Sequence, residues 1–273
     1  MKKILVPTDF SKQSGNALNY AIELAKHLGA EIELIHIFSI PVFTADSPIV
    51  PVEELLKEDV LQNLEELKSL IERTNPELKI SCKALTGDAA DAISTYADTH
   101  KIDLVVVGSQ GIGYIRERIL GSTASTLIRK TRTPVMVIGK DIRFKLPEKV
   151  VLAVDLSETD DQVVLKPLKQ LARKFKSHIC ILNIFSEAEA MPTFGQMAES
   201  FRLEKALKQT HHTFFEVQHP DVVLGINQFV TKQGIDMVAI VSRKHSLIGR
   251  IFREPITKVM TFHSQVPLLI LHE

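Results

Sequence analysis

The segment from Gly108 to Thr123 carries residue types and a spacing that suit a phosphate cradle: Gly108-Ser109-Gln110-Gly111, then nine residues, then Gly121-Ser122-Thr123. Glycine lets main chain approach a ligand closely and accepts positive φ. A Gly-Ser-Thr run at a helix start offers unpaired N–H groups and hydroxyls where an anion is favoured. Arg116 and Arg118 in the intervening loop add positive potential, which Glu117 partly offsets. The pattern is not a Walker A loop, since no Lys follows the last glycine. Nor is it a G-x-G-x-x-G fingerprint, since Arg stands at 116. On spacing alone, an ordinary strand–loop–helix connection with glycines at its turns and cap explains it as well. Asp9, just past an apolar run, is the second candidate, because a carboxylate there can accept from ribose hydroxyls or an exocyclic amine. Taken by itself Asp9 reads as a turn or capping residue; beside the glycines it reads as a ligand residue.

The elements that must position these residues come from a repeat. Lys3 to Ser11 matches Lys149 to Ser157 without a gap, and Leu24 to Phe38 matches Leu171 to Phe185. Ile102 to Val107 matches Ile235 to Ile240, and Pro134 to Ile138 matches Pro267 to Leu271, in the same order. Two copies of one domain are expected, over 1–140 and 149–273, joined near Asp141 to Glu148. In the first copy, strands are predicted at 3–7, 31–38, 79–85, 102–107 and 135–138, and helices at 14–28, 53–73, 89–99 and 122–131. Ser11 and Asp88 are the predicted caps of the first and third helices. Strands that are near-continuous Val, Ile and Leu belong in a parallel sheet buried on both faces. Right-handed crossovers then make each sheet doubly wound, with a crevice at its switch point. Ser39–Val52, with Pro41, Pro48 and Pro51, reads as a mobile loop rather than a linker.

At this point a resemblance is specific. The spacing Gly108-x2-Gly111-x9-Gly121-Ser122 is similar to the nucleotide-binding signature of the universal stress protein family. Ile4 to Ser11 resembles the first strand of its ATP-binding members, and Leu34–Ile37, Thr86–Asp88 and Thr133–Val135 match further family positions. The resemblance covers nearly the whole first copy and, more weakly, the second. It implies an α/β fold of two tandem doubly wound five-stranded parallel-sheet domains, adenine nucleotide alpha hydrolase-like, forming an intramolecular pseudo-dimer. It implies ATP, or AMP or ADP, as ligand, with Mg2+ on the phosphates as an option. By resemblance Pro7 and Thr8 line the adenine site, Asp9 contacts the adenosine moiety and Ile37 offers main-chain contacts to the base. Gly108, Ser109, Gln110, Gly111, Gly121, Ser122 and Thr123 hold ribose and phosphates. Family members dimerise through their last strand, so the edges near 135–138 and 267–271 are expected to face each other, with a homodimer as a further option.

The second copy departs from this pattern. Carried along the repeat, Gly108 falls on Val241, Gly111 on Lys244, Gly121 on Glu254 and Ser122 on Pro255. Val and Glu place β-carbons where bare main chain is needed, Glu254 adds negative charge, and Pro255 lacks an N–H. Asp155 is retained, but ATP is not expected to bind this copy in the same mode.

Composition narrows the function further. The 273 residues hold 33 Lys plus Arg against 33 Asp plus Glu, which gives no global bias toward nucleic acid or anionic membrane. Aromatics are 6% and Trp is absent, so an aromatic platform for single strands is not expected. The acidic polar face of the helix at 53–73 does not suit a membrane surface. His211, His212 and His219 are read as a solvated helix end rather than a metal site. Cys82 and Cys180 lie in different copies and read as reduced, buried thiols. The opening Met1 to Pro7 meets Asp9 too early for a signal peptide, so a soluble cytoplasmic protein is expected. The expected role is a nucleotide-binding stress or signalling module that reports occupancy to an unidentified protein partner through the loops at 39–52 and 109–120. The alternatives are a slow ATP hydrolase, with Gln110, Glu117 or Asp9 placing water, and a nucleotide-free scaffold.

Overall fold

In the computed structural model, which describes residues 1–40, 52–109, 122–154, 161–185, 194–242 and 266–272, strands and helices alternate through both copies. The first runs β1 (Lys3–Pro7), α1 (Lys12–Leu28), β2 (Glu31–Phe38), α2 (Val52–Thr74) and β3 (Ile80–Thr86). It continues through α3 (Ala89–Thr99), β4 (Leu104–Gly108), α4 (Ser122–Lys130) and β5 (Val135–Ile138). The second runs β6 (Lys149–Val154), α5 (Asp161–Val164), α6 (Lys166–Phe175), β7 (His178–Phe185) and α7 (Phe194–Leu207). It ends with β8 (His211–Gln218), α8 (Val222–Gln233), β9 (Met237–Ser242) and β10 (Leu268–His272).

The described strands form one sheet in the order β3-β2-β1-β4-β5-β10-β9-β6-β7-β8. Pairing is parallel within each copy and antiparallel between β5 and β10. Each copy is therefore a doubly wound five-stranded parallel sheet. The two join edge to edge as an intramolecular pseudo-dimer, on the last strands that the family resemblance implies. Residues such as Val105 and Val106 are buried on opposite faces. One face is closed by α1, α2, α6 and α7, and the other by α3, α4 and α8. That double cover is why the strands lack polar alternation.

Local chemistry sets the helix ends. Ser11 caps α1 by accepting from the Ser14 N–H, and Gly29, at φ 67°, ends it in the left-handed region. Asp88 caps α3 by accepting from the Ala90 and Asp91 N–H groups. The repeat is also visible in side-chain work: Asp103 accepts from the Lys2 and Lys3 N–H groups, and its counterpart Asp236 from that of Lys149. The joining segment is tied down by buried Asn16, which donates to the Gly139 and Ile142 carbonyls and accepts from Arg143.

Two expectations are corrected. His211 and His212 do not end a helix; they open β8. The run His-His-Thr-Phe-Phe-Glu-Val-Gln is rich in residues that suit a pleated strand, and adjacent residues there point to opposite faces. Cys82 is half-buried rather than buried, with its thiol donating to the Leu64 carbonyl. Burial pushes that thiol up to about 12, an unreactive state.

Candidate functional site

In a doubly wound sheet, the crevice lies beyond the strand ends where the order reverses, here between β1 and β4. These two strands are joined at Ile4–Leu104 and Leu5–Val105. Beyond it, β1 ends at Pro7 and the chain turns through Thr8, Asp9 and Phe10 into α1.

Side chains hold this turn. The Thr8 hydroxyl accepts from the Phe10 N–H at 3.0 Å, and Asp9 Oδ1 accepts from the Ser11 N–H at 3.1 Å. The Thr8 N–H donates to the Ile35 carbonyl, and His36 Nδ1 donates to the Thr8 carbonyl, both at 2.8 Å. Thr8 is buried and its hydroxyl meets that of Ser14 at 3.2 Å. Phe10 takes φ 58° with its ring 4.9 Å from that of His36. Left-handed φ in a bulky residue is strained, and these bonds supply the compensation. Asp9 thus does carry a turn role, through one of its oxygens.

Main-chain direction follows from alternation. Along β2, Glu31 donates to Lys2 and Ile35 accepts from Thr8, so odd-numbered residues turn their N–H and C=O toward β1. Ile37 turns the same way, two residues beyond Ile35, where pairing with β1 ends at Pro7. On the other flank, Val105 and Ser109 donate to Pro134 and Ile138 of the β5 side. Gly108, between Val107 and Ser109, therefore turns toward β1. Main chain from Ile37 and from Gly108 converges on the space beyond Pro7, Thr8 and Asp9.

The helix start lies on the matching face. Leu5 packs in the cluster that contains Ala124, Leu127 and Ile128 of α4, and Pro7, two residues on, shares that face. Ile37 packs against the same cluster. α4 begins at exposed Ser122 and half-buried Thr123. Just past its last turn, Thr131 and Thr133 donate to Asp98, ahead of the start of β4. Its N-terminus, the positive end of its dipole, therefore lies toward the opposite, crevice end of the strands. Ser109 is buried. The structure thus gathers Pro7, Thr8, Asp9, Ile37, Gly108 and Ser109 at one set of strand ends. Gln110, Gly111 and Gly121, like most of the loops at 39–52 and 109–120, lie outside the described residues.

Sequence reasoning did not give Ser14 or the His36 ring their part in holding the β1 turn. The signal was present in the polar interruption of an apolar strand at His36, opposite Thr8. In the second copy, Val241 pairs with Leu271 as Gly108 pairs with Ile138, so valine occupies the glycine's register position. Asp155, Lys244, Glu254 and Pro255 lie outside the described residues. Among the described residues no three His, Cys, Asp or Glu side chains are grouped to hold a metal ion, and no helix is long and apolar enough to cross a membrane.

The universal stress protein family model matches residues 1–139 and again 147–272. A universal stress protein of Methanocaldococcus jannaschii is 34% identical over 142 residues, covering 51% of this chain and 82% of that one. One of Bacillus subtilis is 30% identical over 145 residues, covering 50% and 97%. The crystal structure of a universal stress protein from Archaeoglobus fulgidus is similar over 98% of this chain and 97% of its own, with TM-score 0.74 at 18% identity, a likeness of fold.

Proposed function

Because this chain belongs to the universal stress protein family, we propose that its first copy binds an adenine nucleotide and that the protein is a stress-response or signalling module, not an enzyme. The observation that carries this reading is the convergence of Ile37 and Gly108 main chain on the space beyond Asp9. An N–H and a C=O on a strand end can read the edge of a base, and a carboxylate can accept from ribose hydroxyls. The start of α4 offers phosphate its unpaired N–H groups. Valine at the position equivalent to Gly108 supports assignment to the first copy alone.

ATP, ADP and AMP are the candidate ligands, and occupancy is read by a protein partner that prefers one liganded state. The test is mass spectrometry of small molecules released from the purified chain, with calorimetric titration of the three nucleotides. One adenine nucleotide per chain is expected. Two equivalent sites, or no heat with any of the three, would overturn the reading.

A further inference from the structure

Among the described residues the ten-stranded sheet has two outer edges, β3 and β8. An open edge presents a row of N–H and C=O groups to any extended partner, and proteins blunt such edges with charge or cover. β3 carries Lys83 at its middle and is covered on one face by α2, whose Leu64 carbonyl accepts from Cys82. β8 has neither Lys, Arg nor Pro over eight residues, and Phe214 at its centre is 36% exposed.

Alternation decides which groups face outward. The His219 N–H donates to the Phe185 carbonyl at 3.0 Å, so the odd-numbered residues of β8 turn their main chain toward β7. His212, Phe214, Glu216 and Gln218 turn theirs away from the sheet, and these residues also share one face.

We propose that β8 is a self-association edge, pairing antiparallel with β8 of a second copy of this chain about a two-fold axis through Phe214. An axis perpendicular to the sheet keeps like faces together. Phe214 then meets Phe214, and His212 meets Glu216 on both sides of the axis. All three pairs join outward-facing residues, so each exchanges both main-chain hydrogen bonds. Aromatic pairs and opposite charges directly across from each other favour pairing. Neighbouring registers lose this match: an axis through Thr213 sets His212 against Phe214, and one through Phe215 sets Phe214 against Glu216. His212 Nδ1 donates to the Thr210 carbonyl at 3.0 Å, so Nε2 is the ring nitrogen that meets the carboxylate, and it donates to it when the ring carries both protons. One strand pair is less than the area of a permanent interface, so the association is concentration-dependent. It is independent of the nucleotide reading.

Sedimentation equilibrium of the full chain over a concentration series tests it. The wild-type mass climbs from 30.6 kDa toward twice that value. Phe214→Lys holds the single-chain mass throughout. His212→Glu and Glu216→Lys each weaken association by roughly tenfold or more through like-charge or lost pairs. The double variant, H212E with E216K, restores it, a rescue that decides the matter even where Phe214→Lys fails to fold. A wild-type mass that stays single at every concentration overturns the proposal. So does a dimer indifferent to Phe214→Lys, or a double variant no better than either single one.

Discussion

Met136 and Leu269 lie directly opposite each other across the antiparallel seam, and neither has any exposed surface. They are equivalent residues of the two copies, flanked by Val137–Leu268 and Val135–Ile270, so a pseudo-two-fold axis passes between them. Each copy covers the edge that the other's final strand would expose, which removes two pairing hazards at once. Leu269→Ala is expected to cost about 2–5 kcal/mol, the usual range for truncating a buried leucine. Leu269→Asp buries a charge at the axis and is expected to uncouple the halves. Urea unfolding followed by circular dichroism checks both: one transition for wild type and Leu269→Ala, two for Leu269→Asp. An unshifted midpoint in Leu269→Ala would mean that the seam is not held there.

Gly108→Val installs in the first copy the residue that the second copy carries at Val241. It is expected to weaken ATP binding about tenfold or more, or at least ~1.4 kcal/mol. The melting temperature of the unliganded chain should stay near wild type, because the equivalent valine is accommodated in β9. Val241→Gly should add no second site. Calorimetry on both variants is the check, and wild-type affinity in Gly108→Val would remove Gly108 from the site.

Much of this architecture was legible in the residues. The strands predicted at 3–7, 31–38 and 135–138 match β1, β2 and β5 end for end. Short β-branched runs buried on both faces resemble little else, and the repeat assigns each its partner. β8 was not legible as a continuation of that logic. On an outer edge neither face is fully covered, so His211–Gln218 shows no apolar run and its paired histidines suggested a helix end. The site was legible as residue types, not as directions. That Ile37 and Gly108 aim main chain into one space depends on where β1 stops relative to its neighbours, and a single strand's sequence does not encode that.

Buried Glu33 is held by two elements at once. Tyr96 donates its hydroxyl to Glu33 Oε1 at 2.6 Å, and Lys3 Nζ lies 2.7 Å from Oε2, within ion-pair distance though outside hydrogen-bonding geometry. Burial, then the bond to Glu33, pushes the tyrosine hydroxyl well above its ordinary value, so it remains a donor across the physiological range. Tyr96→Phe leaves a buried carboxylate oxygen short of its donor and is expected to cost about 1–3 kcal/mol. Chemical denaturation measures this directly. A cost near zero would mean that Lys3 alone satisfies the carboxylate.

His272 ends β10 against the first copy, with Nε2 donating to the Ile128 carbonyl at 2.8 Å. Nδ1 is buried without a hydrogen-bond partner among the described residues. Burial holds this imidazole below its ordinary 6.5; the Ile128 and Thr133 main-chain groups and the Asp98 charge oppose the shift without cancelling it. The native ring is thus neutral at a pH where an unfolded chain already carries a proton. Its contribution to stability is intact above 6.5 and is lost as pH falls from there through the lower folded value, because the unfolded state takes up the proton first. His272→Gln removes that titration. Melting temperatures of both chains between about pH 7.5 and about pH 5 should therefore converge or cross as acid is added, with wild type losing more. Two parallel profiles would mean that the His272 ring is as easily protonated in the folded protein as in the unfolded chain, and that its burial at the seam does not govern its charge.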